Sequence, residues 1–75
     1  FNPQVTIEYE IVEPTNILLS IYNIRGQKIV ELINEYVLPG HYSMNWNGSN
    51  YSSGIYFIIL YNQKSIIRRK IILLK

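Results

Sequence analysis

Val5-Thr6-Ile7-Glu8-Tyr9-Glu10-Ile11 carries the reading that decides the fold. Val5, Ile7, Tyr9 and Ile11 share one parity, and Thr6, Glu8 and Glu10 share the other. A strand turns successive side chains to opposite faces, so this period of two sets an apolar row on a core and a polar row in water. Glu13-Pro14-Thr15-Asn16 ends the strand, because proline lacks a backbone donor and asparagine favours turns. Working outward, Ile17 to Tyr22 is a second strand, with Ile17, Leu19 and Ile21 in phase. Asn23-Ile24-Arg25-Gly26 is a turn in which Gly26 is free to take positive φ. Lys28 to Ile33 is a third strand, shorter or bulged, because Ile29, Val30, Leu32 and Ile33 do not alternate; a single uncapped helical turn is the other reading. Pro39-Gly40 marks a turn. His41 to Trp46 follows as a strand with Tyr42, Met44 and Trp46 in phase. A polar loop from Asn47 to Gly54 leads to Ile55–Tyr61, which is apolar on both parities, the pattern of a central strand covered on both faces. Asn62-Gln63-Lys64 reads as a hairpin loop and Ser65 to Leu74 as the last strand.

Six or seven short strands separated by turn signals indicate an all-β sandwich. No helical sequence is present to make long crossovers, so the sheets are expected to be antiparallel. The expected core is Ile7, Tyr9, Ile11, Leu19, Ile21, Ile29, Leu32, Tyr42, Met44, Trp46, Tyr56, Ile58, Leu60, Ile71 and Leu73.

The chain has 75 residues, enough for one small domain. Its mass of 8.9 kDa implies a folded surface of roughly 4,800 Å² and a modest core. There is no cysteine to add a disulfide or thiolate metal site. Hydrophobic content of 48% and charged content of 16% exclude a disordered chain. No apolar run is long enough for a transmembrane helix. The chain opens on Phe1 without a leader and reads as a piece of a longer protein. Neither Asp nor Ala occurs, and His41 is the single histidine. The net charge of +2 conceals a split. Residues 1–50 hold Arg25 and Lys28 against five glutamates, whereas residues 51–75 hold Lys64, Arg68, Arg69, Lys70 and Lys75 with no acid.

An ordered set of short motifs runs through the chain. Phe1-Asn2-Pro3 and Thr6-Ile7-Glu8-Tyr9 come first, then Ile21-Tyr22-Asn23-Ile24-Arg25-Gly26-Gln27-Lys28-Ile29. Gly40-His41-Tyr42, Trp46-Asn47-Gly48, Ser53-Gly54-Ile55-Tyr56-Phe57 and a terminal Lys70-Ile71-Ile72-Leu73-Leu74-Lys75 follow. Together they resemble the C-terminal sorting domain, type A, of cargo proteins of the type IX secretion system of Bacteroidetes. The related immunoglobulin-like domain of the flagellar hook-capping family shares some of these signatures. Asn47 stands where aspartate is common, and the short loop between Gly48 and Gly54 and the Asn2-Pro3 opening favour the sorting domain.

The resemblance implies an immunoglobulin-like antiparallel β-sandwich of about seven short strands. It implies that residues 1–75 are a single domain at the C-terminus of a larger secreted protein. The domain would direct an upstream cargo domain of the same chain through the periplasm and across the outer membrane, for release or attachment at the cell surface. Its implied partners are the outer-membrane translocon and a sortase-like peptidase, with no enzyme activity and no cofactor. The motif positions are Asn2, Pro3, Gly26, Gly40, Trp46, Gly48, Gly54 and Tyr56. Gly26 and Gly54 are read as backbone positions, Trp46 as core filler, and Asn47-Gly48 as a side-chain-bonded turn.

The basic end is the most function-like feature. Arg68, Arg69, Lys70 and Lys75 are the residues through which the resemblance implies translocon recognition. In an unbroken strand Arg68 and Lys70 share one face, and Arg69 and Lys75 the other. The competing reading is an edge strand whose charges discourage uncontrolled pairing. His41 beside a turn lacks the partners of a catalytic triad. Glu8 and Glu10 share a solvated strand face, without the cleft that a carboxylate pair needs. There is no phosphate-binding glycine pattern. Nucleic-acid binding is disfavoured because the cations divide between faces and the aromatics fall at core parity. The alternative function is an immunoglobulin-like adhesive or carbohydrate-binding module that stacks sugar on an exposed Trp46.

Overall fold

A computed structural model describes residues 3–74. The described chain forms six strands: β1 (Gln4–Ile11), β2 (Thr15–Asn23), β3 (Lys28–Val37), β4 (Gly40–Asn47), β5 (Gly54–Asn62) and β6 (Ile66–Leu73). They make two antiparallel sheets, β1-β4 and β3-β2-β5-β6. The all-β antiparallel sandwich expected from the alternation is therefore present, with no helix among the described residues.

The period of two orients each strand. In the two-stranded sheet, Val5 faces Trp46, Ile7 faces Met44 and Tyr9 faces Tyr42 on the inner side. Glu8 and Glu10 lie opposite Ser43 and His41 on the outer side. In the four-stranded sheet, Leu19 pairs with Leu60 and Ile21 with Ile58 on the inner side. Nine of the expected core residues, Ile7, Ile11, Leu19, Ile21, Trp46, Tyr56, Ile58, Leu60 and Leu73, are buried. Tyr9, Ile29, Leu32, Tyr42, Met44 and Ile71 are half-buried and pack against them. Ile17 and Val37 complete the buried hydrophobic set and were not in the expected core.

Val37 was missed because β3 runs past Ile33 to Val37. The polar stretch Asn34-Glu35-Tyr36 interrupts the apolar signal, but ladder pairing with Leu18, Ile17 and Asn16 holds it in the sheet. The irregular apolar spacing of β3 is resolved by bulges. Leu19 pairs with Ile33 but Ser20 with Glu31, and Ile21 pairs with Val30 but Tyr22 with Lys28. Leu32 and Ile29 are the extra residues, and each insertion resets the parity so that apolar positions return to the core side.

A second departure concerns β5. It is central, between β2 and β6, but only its Tyr56, Ile58 and Leu60 side is buried by the other sheet. On the opposite side Phe57 and Ile59 are half-buried and Tyr61 is exposed. No layer of described residues packs on that side, and on the inner side two strands cannot roof four, so Ile67 stays exposed. The surface of 5233 Å² exceeds the roughly 4,800 Å² expected for this mass. The radius of gyration of 12.7 Å likewise exceeds the roughly 11.4 Å typical of a domain this long.

Candidate functional site

The motif residues fasten the ends of the strands. Asn23 brackets the β2–β3 turn: its Oδ1 accepts the Arg25 and Gln27 backbone N–H groups at 2.9 and 3.0 Å. Its Nδ2 donates to Gln27 Oε1 at 2.9 Å. Gly26 closes this turn at φ +83°, a left-handed conformation in which a side chain would be strained even though its surroundings are open. Asn23 was not singled out in the sequence; an asparagine two residues ahead of an unpaired turn amide is the signal that identifies it.

At the other end, Trp46-Asn47-Gly48 joins three segments. The Gly48 N–H donates to the Pro3 carbonyl at 2.9 Å, which pins the entry to β1. Asn47 Oδ1 accepts the Ser49 N–H at 2.9 Å, forming the expected side-chain-bonded turn. A Cβ on Gly48 would lie 2.7 and 2.8 Å from the two Leu73 δ-carbons. Leu73 is only 1% exposed, so it has no free direction in which to yield. The glycine thus lets the last strand seat against the loop after β4. Trp46, 5% exposed, packs against the rings of Tyr51 and Tyr56. It is core, and cannot serve as a sugar-stacking platform. Tyr56 donates its hydroxyl to the Ser52 carbonyl at 2.7 Å, and Tyr42 donates to the Leu38 carbonyl at 2.5 Å. Gly40 and Gly54 begin β4 and β5. Asn2 and Lys75 lie outside the described residues.

The remaining candidates lie on β6. This strand is the edge of the four-stranded sheet and pairs only with β5. Arg68, opposite Ile59, and Lys70, opposite Phe57, point to the outer face of the sheet. Arg69, opposite Ile58, points to the inner side. There it lines a cavity between the sheets with Ile67, Leu60, Ile58, Leu19 and Ile7. All three cations are exposed, and none forms an ion pair with a described residue. The structure therefore brings Arg68 and Lys70 together and sets Arg69 apart, as the parity required. Of the other described cations, Lys28 pairs with Glu31 at 3.1 Å and Lys64 with Glu13 at 3.0 Å, while Arg25 in the β2–β3 turn also has no ion-pair partner among the described residues.

Hydrogen bonds from Lys28 and Asn34 hold the Glu31 carboxyl below its ordinary range. Burial raises the Tyr9 phenol, with smaller contributions from Glu35 and from Tyr42, whose ring stacks on it at 5.4 Å. His41 Nε2 sits 3.6 Å from Glu10 Oε2 on an open strand face, so neither group is shielded from water. Among the described residues no three His, Cys, Asp or Glu side chains converge as a metal site would require. No helix among them is long and apolar enough to cross a membrane. What the arrangement offers is an adhesive edge: free strand backbone, unpaired cations and neighbouring apolar side chains.

Comparison with known families matches residues 1–74 to the secretion system C-terminal sorting domain. No curated protein and no solved structure matches the chain.

Proposed function

The chain belongs to the family of secretion system C-terminal sorting domains, and from that premise we propose that the export machinery reads it along β6. As a type IX sorting domain it marks proteins for secretion or display at the cell surface. The immunoglobulin-like binding module with no export role is not supported by the family match. In the proposed arrangement residues 1–75 are one domain behind an upstream cargo. A translocon component docks on β6, and a sortase-like peptidase acts after passage.

One observation carries the β6 assignment. The strand is a sheet edge with unpaired backbone groups, and Arg68, Arg69 and Lys70 on it have no ion-pair partners among the described residues. An exposed edge is a template for strand addition, and unpaired charges on it favour an acidic partner over an unrelated one. Stable cores do not need three unpaired cations on consecutive positions.

The test is export of a periplasmic reporter fused ahead of residues 1–75 in a host with a type IX system. The fusion should reach the surface or the medium. The triple variant Arg68→Gln, Arg69→Gln, Lys70→Gln should fold, since all three side chains are solvated, yet be exported at least tenfold less. Equal export of the triple variant would discard the β6 assignment. Periplasmic retention of the folded parent fusion would discard the sorting role for this chain.

A further inference from the structure

Beyond the β6 edge, the outer face of the four-stranded sheet is apolar where β2, β5 and β6 lie side by side, while Lys28, Glu31 and Asn34 make its β3 margin polar. Its register sets Tyr22 beside Phe57, Leu18 beside Tyr61, and Ile55 beside Ile72. Tyr61, Ile66 and Ile72 are 50%, 58% and 61% exposed. Solvated strand faces normally carry polar side chains, and β5 instead has the composition of a strand buried on both sides. Arg68 and Lys70 stand on this same face, along the β6 side. Its acid, Glu31, is already paired with Lys28. The net character is apolar with spare positive charge at one margin.

We propose that this face is a second part of the recognition surface, and that it receives an apolar protein surface bordered by carboxylates on the export machinery. The proposal rests on the sorting role stated above and extends it from an edge to a face. Charge complementarity selects the occupant: carboxylates would meet Arg68 and Lys70 while apolar side chains cover Phe57, Ile59 and Tyr61. Shape selects a protein over a lipid surface. Tyr22, Asn23, Ile24, Gly26, Phe57 and Ile59 line a depression with Arg68 beside it. A depression accepts a protruding side chain, whereas insertion into a bilayer needs a protruding apolar ridge.

Size sets the lifetime. Strands spaced about 4.8 Å apart and rising about 3.3 Å per residue give four strands a face of roughly 400–500 Å². A stable complex buries about 800 Å² on each partner. The face alone therefore supports a transient contact, which suits a signal that must let go after passage.

The experiment uses the same reporter fusion. Ile59→Thr, Tyr61→Thr and Ile72→Thr together remove apolar surface while keeping strand propensity, and leave every cation in place. Val12→Thr with Leu38→Thr is the control; both are exposed apolar residues, in the β1–β2 and β3–β4 connections. Circular dichroism melts of the purified fusions establish that each variant is folded at assay temperature. The result expected is export of the parent and control, with at least a tenfold loss for the face variant. Failure of the parent fusion to be exported defeats the sorting role; normal export of both parent and face variant defeats only this proposal. Two further measurements can overturn it. Pelleting of the parent, but not the face variant, with anionic phosphatidylglycerol vesicles would assign the face to membrane. Sedimentation of the parent as a dimer that the face variant breaks would assign it to a second copy of the chain.

Discussion

Gly48→Ala tests the seat of the last strand directly. A new Cβ would sit 2.7 Å from one Leu73 δ-carbon and 2.8 Å from the other. Carbon atoms in contact prefer about 3.5–4.0 Å, so roughly 1 Å of displacement is required. Leu73 is 1% exposed and Trp46, two residues before the glycine, is 5% exposed, so the displacement must be taken up by the core. Overpacking of this kind costs about 1–3 kcal/mol. A small domain commands only about 3–5 kcal/mol, so the variant approaches unfolding. Its melting temperature should fall by about 4–8 °C for each kcal/mol.

Clash is separable from any other effect of the methyl group. Leu73→Val removes both offending δ-carbons at a cost of about 1 kcal/mol. In that background Gly48→Ala should cost less than about 0.5 kcal/mol, giving a coupling of about 1–2 kcal/mol in a double-mutant cycle. Urea unfolding of the four proteins measures it. Strictly additive effects would refute the argument that Gly48 exists to admit Leu73.

Two other outcomes follow from single side chains. The Ser20 hydroxyl is buried without a hydrogen-bond partner among the described residues, so Ser20→Ala should stabilise the domain by about 1 kcal/mol. A lower melting temperature would mean that the hydroxyl is bonded in solution. Tyr9 ionises above its ordinary value of 10.0 in the folded state, mainly through burial. The neutral phenol is thus favoured by folding; its contribution is complete below pH 10 and is lost as pH rises through the folded value. Tyr9→Phe should flatten that part of the alkaline stability profile, read by urea unfolding between pH 9 and 11. An unchanged slope would show that other tyrosines carry it.

Which segments are strands was legible from alternation, because the pleat is a local property and repeats every two residues whatever the neighbours are. The same rule separates Arg69 from Arg68 and Lys70. Turn positions were legible where a residue type is required by backbone geometry, as at Gly26. The length of β3 was not, because Asn34, Glu35 and Tyr36 carry no apolar signal and stay extended through their pairing with β2.

Sequence alone therefore determined strand content, face parity and the segregation of charge toward the last strand. Tertiary structure decided which strand became an edge, which glycine had to yield to a distant leucine, and which apolar face went uncovered. Those outcomes depend on pairing between residues far apart in the chain, such as Gly48 with Leu73, and a local period contains no record of them. The double apolar pattern of β5 shows the limit clearly: its sequence called for cover on both sides, and the fold of this domain supplies cover on one.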